Sequence, residues 1–251
     1  WKGVRSLIAM AISLTILVGY LLPHILTGED PVRVAITGAF AILATTLYIV
    51  YGWTLKSHAA VLGTLLALIL TGFAASFAVD LTRLTGYGSE EAMFLNQQVP
   101  LDLRGLALAG ILIGSLGVLD DLVTTQAAAV FELHLANPAL TFLDLFKRAM
   151  RIGQDHVAAT VNTLVLAYAG AALPLLLLVS QAGEAWVNFL NREFVSEELV
   201  RTLVGSIGLM LAVPVTTALA CGFALYRQRL GEVGSWLGPL GLEEGHAHHH
   251  G

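Results

Sequence analysis

Two adjacent carboxylates, Asp120 and Asp121, interrupt a run that is otherwise apolar or small. At helical spacing from Asp121, Gly117, Gly114 and Gly110 stand four, seven and eleven residues back, and Thr124 and Thr125 three and four ahead. One face of that helix is therefore small and polar. Small residues let a neighbouring helix approach closely and leave little room for lipid, so Asp121 is expected to face protein or water. It follows Arg104 by 17 residues, roughly 25 Å along a helix, which places it in the inner part of a hydrocarbon layer. A carboxylate at the centre of a membrane span costs on the order of 3 kcal/mol by insertion scales, and taking up a proton relieves that cost. This is the chemistry of a proton or ion relay, with Asp121 as the coupling acid and Thr124 and Thr125 beside it. Asp120 points about 100° away on an ideal helix and is expected to support the site or face an inner vestibule. The plainer alternative is that both acids are hydrated at an inner helix end and transport nothing.

The run from Asp155 to Gly170 supplies the partner polar groups. Thr160, Thr163, Ala167 and Gly170 share one stripe, and Asn162 and Thr163 carry groups that can hydrogen-bond a carboxyl. Such residues in spans also bridge helices with no further role, and both readings stand. Gly110, Gly114, Gly117 and Gly170 are expected to pack helices. Pro214, Thr216 and Thr217 predict a local irregularity that a neighbouring helix re-satisfies. No metal site or cofactor is expected: the single cysteine, Cys221, lies in an apolar stretch, and the His-rich end (His246, His248, His249, His250) carries no functional assignment. There is no P-loop for ATP, and adjacent acids do not converge from two helices as an aspartyl protease requires. No enzymatic activity is expected.

Lipid is the solvent that positions these residues. The chain has 56% hydrophobic and 12% charged residues and a mean hydropathy of +0.76; soluble domains carry about 25% charged residues. A net charge of −5 gives no reason to expect nucleic acid as a partner. Six apolar stretches, at about 7–26, 32–51, 59–79, 106–127, 157–180 and 199–226, each suffice to cross a ~30 Å core as a helix. The expected architecture is an all-α, polytopic six-span bundle over 1–235, followed by a disordered His-rich tail over 236–251. Eight of the 13 Lys and Arg residues fall on one side if the N-terminus is inside, which favours both termini in the cytoplasm and an inner-membrane location. Thr141 and Asp144 cap a segment with Lys147, Arg148 and Arg151 on one face, which reads as a basic helix on the inner membrane surface or one packed under the bundle. The outer loop 81–104 is expected to hold one short helix. The loop 181–198, with Trp186, Phe189, Leu190 and Phe194, suits an interfacial helix, with Ser196, Glu197 and Glu198 starting the last span.

These words also resemble a known family. Gly114, Gly117 and Asp121, then Glu132, Asn137-Pro138, Leu145-Phe146, Ile152-Gly153, Asp155, Asn162-Thr163-Leu164, Ala167-Tyr168, Gly170 and Pro174 resemble the YibE/F family of multi-pass membrane proteins, as do Trp1-Lys2-Gly3, Pro23 and Glu90-Glu91. The family usually has Met where Asp120 stands. The resemblance implies an upstream span and a small extracytoplasmic domain, so a segment before Trp1 is expected. A fainter likeness joins the block from Val99-Pro100 through Asp121 to Asn162-Thr163-Leu164 with one half of SecD/SecF, a resistance–nodulation–division permease. There the fourth span carries a proton-linked aspartate and six-span halves pair, which implies a homodimer or a paired half-transporter here.

Overall fold

The structure, a computed structural model, describes residues 2–88, 90–182, 186–226 and 238–239. The described residues are helical, without strands. Helix α1 (Lys2–Ile16) passes through a π-helical turn (Leu17–Leu21) into α2 (Leu22–Leu26); then come α3 (Pro31–Tyr51), α4 (Leu55–Thr82), α5 (Glu90–Gln98), α6 (Leu103–Ala136), α7 (Phe142–Ala171), α8 (Leu173–Ala182), α9 (Trp186–Leu190) and α10 (Glu193–Tyr226). The long helices start where the sequence provides caps. Asp30 accepts from the backbone of Val32 and Arg33, Thr54 from Ser57, Asp102 from Gly105 and Thr141 from Asp144.

Helices α4, α6 and α10 pack on one another and form the centre; α3 and α7 lean on that trio, and α1 packs outside α3. Glycines set the closest approach. Gly63 of α4 faces Thr216 of α10, and Thr71 of α4 faces Gly208 of α10. The pairs lie eight residues apart on each helix in opposite order, so α4 and α10 run antiparallel. A methyl group on Gly63 or Gly208 would collide with the facing threonine. By contrast α6 and α10 run parallel, matched at Gly110 with Arg201, Ser115 with Gly205 and Gln126 with Thr217. The outer faces of the spans are themselves apolar: Phe40, Leu66, Phe73, Phe77 and Leu203 are all exposed. A bundle with that surface belongs in lipid, so the chain is an integral membrane protein.

Among the described residues, five segments are long and apolar enough to cross a membrane: Gly3–Leu26, Pro31–Tyr51, Leu55–Thr82, Leu103–Ala136 and Glu193–Tyr226. The expected all-α polytopic bundle is thus observed, with several boundaries moved. The stretch 157–180 is not one helix: it begins about four turns inside α7 and is divided at Ala172 between α7 and α8. The basic segment after Thr141 is not a separate surface helix but the start of α7, because no proline separates Arg151 from the apolar run that follows and the helix continues through the buried Gly153. The last span starts at Glu193, ahead of Ser196. Glu193 accepts from the backbone N–H groups of Thr85 (2.6 Å) and Gly86 (2.8 Å), which pins the α4–α5 connection to the start of α10. Pro214 leaves α10 continuous. The short helix expected in 81–104 is α5. Of the tail, only Gly238 and Pro239 are described: the Pro239 carbonyl accepts from Leu55 N–H at 3.0 Å, on the α3–α4 turn. The remainder of 236–251 lies outside the described residues.

Candidate functional site

Helix α6 is 34 residues long, about 50 Å, and Asp120 and Asp121 fall at its middle. It packs against α3, α4, α7 and α10, so its faces differ sharply. Leu116, Leu119, Leu122 and Val123 are buried in the main core. Asp120 is half-buried beside them, and its Oδ1 is enclosed with no hydrogen-bond partner. Asp121 is exposed. The Tyr51 side chain, at the end of α3, lies within electrostatic range of both carboxylates.

The small face does not pack as expected. A methyl group built on Gly117 or Gly170 meets nothing within 4 Å, and one on Gly114 meets only the Tyr168 hydroxyl, at 3.7 Å. Only Gly110 is approached closely, by the Arg201 guanidinium at 3.2 Å. The reason is the course of α7, whose buried residues are Leu145, Ala149 and Gly153; its second half packs on the core through Val157, Val161 and Leu164, with Leu164 against Gly205 of α10, and leaves Gly117 of α6 uncovered. Asn162 and Thr163 are exposed on that same half. Thr163 donates to the Ala159 carbonyl (3.0 Å) and Thr125 to the Asp121 carbonyl (2.8 Å), each within its own helix. Thr124 is buried. Among the described residues no hydrogen bond joins Asn162 or Thr163 to either aspartate. The structure therefore brings Asp120, Asp121, Thr124 and Thr125 onto one stretch of α6, but Asn162 and Thr163 do not close over them within one chain.

The family model described as YibE/F-like protein matches residues 1–225. The chain belongs to this family. The match ends one residue short of the end of α10, so it takes in every described helix of this YibE/F-like chain. No curated protein and no solved structure matches it.

Two polar clusters in this YibE/F-like bundle escape the sequence reading. Gln126, buried at the centre, donates to the Thr217 hydroxyl (2.7 Å) and the Ala149 carbonyl (3.0 Å), joining α6, α10 and α7 at one point. Its neutral amide in an apolar run was the available signal. The second cluster is Arg201, which donates to Glu197 Oε1 at 3.0 Å, while its Nε lies 3.4 Å from Glu198 Oε1 without hydrogen-bond geometry. Spacing of three and four residues on α10 makes the cluster. In the sequence Glu197 and Glu198 read only as the start of the last span, and their pairing with Arg201 is seen in the structure. Among the described residues no group of His, Cys, Asp and Glu is arranged to hold a metal.

Proposed function

We propose that this YibE/F-like membrane protein is a proton- or ion-coupled transporter, or an energised component of the inner membrane, with both termini cytoplasmic and no enzymatic activity. The observation that carries the reading is the acidic pair at the middle of α6, with one oxygen of Asp120 enclosed and unpartnered and Asp121 on an open, small-residue face. A carboxylate at mid-span facing lipid is costly. Water or a second protein surface therefore covers Asp121 in the membrane. A second copy meets that need: two α6 faces with bare backbone at Gly114 and Gly117 can approach closely, and the exposed Asn162 and Thr163 then complete a polar path around the acids. Asp121 is the coupling acid in this arrangement. Asp120 takes a supporting place.

The test is proton flux in liposomes with an internal pH indicator under an imposed gradient and various cations. Asp121→Asn is expected to lower flux at least tenfold while the melting temperature is kept. Unchanged flux in that variant would remove the coupling role. A non-transporting scaffold is the second reading. It is favoured by the self-contained hydrogen bonds of Thr125 and Thr163, and it expects lower stability in Asp121→Asn and no flux in either protein.

A further inference from the structure

A groove of about 380 Å³ runs between α7 and α10. Met150, Val157 and Val161 form one wall and Met210, Val213 and Pro214 the other, with Gln154 the polar group among them. Met210 is 56% exposed, so the groove opens on the apolar outer surface of the bundle and not into its core. Two contacts fix its direction. Leu164 lies beside Gly205, and Gly153 beside Val213, so α7 and α10 run antiparallel. The groove therefore begins, along α7, at the end where α10 finishes. Arg151 precedes Val161 by ten residues, about 15 Å of helix, which matches half of a ~30 Å hydrocarbon core. The groove is one leaflet deep.

Its near end is cationic. Lys147 and Arg151 are exposed and stand four residues apart on α7, neighbours on a helix surface. At helical spacing Lys147 lies within about 40° of Gln154 and Val161, and Arg151 about 60° to one side of Gln154. Both cations thus sit over the mouth of the groove. Arg148 lies about 120° from Gln154, on another face, and Asp155 about 100° away, beyond Arg151. Among the described residues neither Lys147 nor Arg151 has an ion-pair partner. The opposite wall offers none, because α10 has no acidic residue from Thr202 to Tyr226. Two open cations above an apolar trough suit a ligand with an anionic head and an apolar tail, and basic pockets between spans take lipid head groups of that charge. We propose that this groove is a binding site for an anionic phospholipid, with the phosphate held by Lys147, Arg151 and the Gln154 amide and one acyl chain lying between α7 and α10.

The site does not depend on coupled transport, and its test reads binding. Native mass spectrometry of the full chain released from detergent micelles counts bound lipid directly. Three probes separate head from tail: phosphatidylglycerol, phosphatidylcholine with the same acyl chains, and glycerol 3-phosphate, which has the phosphate and no chain. Three variants locate the site. K147Q/R151Q removes the two cations from exposed positions, and Ala158→Phe fills the groove from another exposed position in its lining. R148Q removes a cation from the other face. Phosphatidylglycerol is expected to bind at least tenfold more tightly than either other probe. Its affinity should fall at least tenfold in K147Q/R151Q and in Ala158→Phe, and change less than twofold in R148Q. Equal affinity for the two lipids, or an affinity unchanged in either of the first two variants, would overturn the assignment. So would an equal loss in R148Q, which means general charge attraction, or glycerol 3-phosphate binding as tightly as the lipid. A dimer that Ala158→Phe abolishes would give the groove to a second copy of the chain and overturn it as well.

Discussion

Thr216 and Thr217 are neighbours in α10 with opposite surroundings. Thr217 receives the Gln126 amide and donates to the Val213 carbonyl at 2.6 Å. The Thr216 hydroxyl is buried against Gly63 with no hydrogen-bond partner. An unpaired buried hydroxyl is a liability, whereas a methyl in its place is not. Thr216→Val should therefore leave stability unchanged or raise it, read as melting temperature in detergent. Gln126→Leu removes a side chain that ties three helices together. It should cost about 1 kcal/mol, the order found for interhelical hydrogen bonds in membranes, and denaturant titration in mixed micelles would measure it. Sequence alone singled out both threonines as polar groups in an apolar run, yet could not tell them apart: the difference lies in which residue of another helix each one meets. The same limit explains the aspartates. Their types and spacing mark them as special, but which of them is enclosed depends on where α7 runs, and no local signal in α6 encodes that.

At the scale of helices, the α4–α10 pairing rests on two glycines meeting two threonines, in reciprocal order. Gly63→Leu or Gly208→Leu should destabilise the bundle by about 2–3 kcal/mol or prevent its assembly, since a side chain is forced into a packed contact. Gly117→Leu should leave the melting temperature of a monomer near that of the unsubstituted chain, because a Cβ there meets nothing within 4 Å on an exposed face of the helix. These outcomes are comparable in one melting series, and the contrast between glycines separates packing within the chain from packing between chains. Length and hydropathy identified five of the expected spans, because about 20 apolar residues have few other uses. The helix start was legible at Thr141, where a side chain caps the backbone; the cap at Asp102 was not singled out. The start was misjudged in the last span, where Glu193 holds a distant loop instead of announcing a helix. The break at Ala172 carries only a weak signal, Pro174 two residues on, which a continuous apolar composition hides.

At the scale of the molecule, the open face of α6 makes a prediction about assembly. Cys221 is buried and can be replaced by alanine, leaving a chain without thiols. In that background Gly117→Cys should form a disulfide-linked dimer on mild oxidation in membranes, whereas Leu66→Cys, on the lipid-facing side of α4, should not. A monomer from Gly117→Cys, or equal cross-linking from both, would count against pairing through this face.

The pairing of α4 with α10 also orders the protein's own synthesis. The third long helix is made well before the last, so its glycine and threonine face enters the bilayer bare and stays so until α10 follows. The partly made chain must wait in lipid with its central groove unfilled, held by α3 and α6 alone. A chain truncated before Glu193 would keep that groove permanently open and present itself to membrane quality-control proteases as an unfinished product.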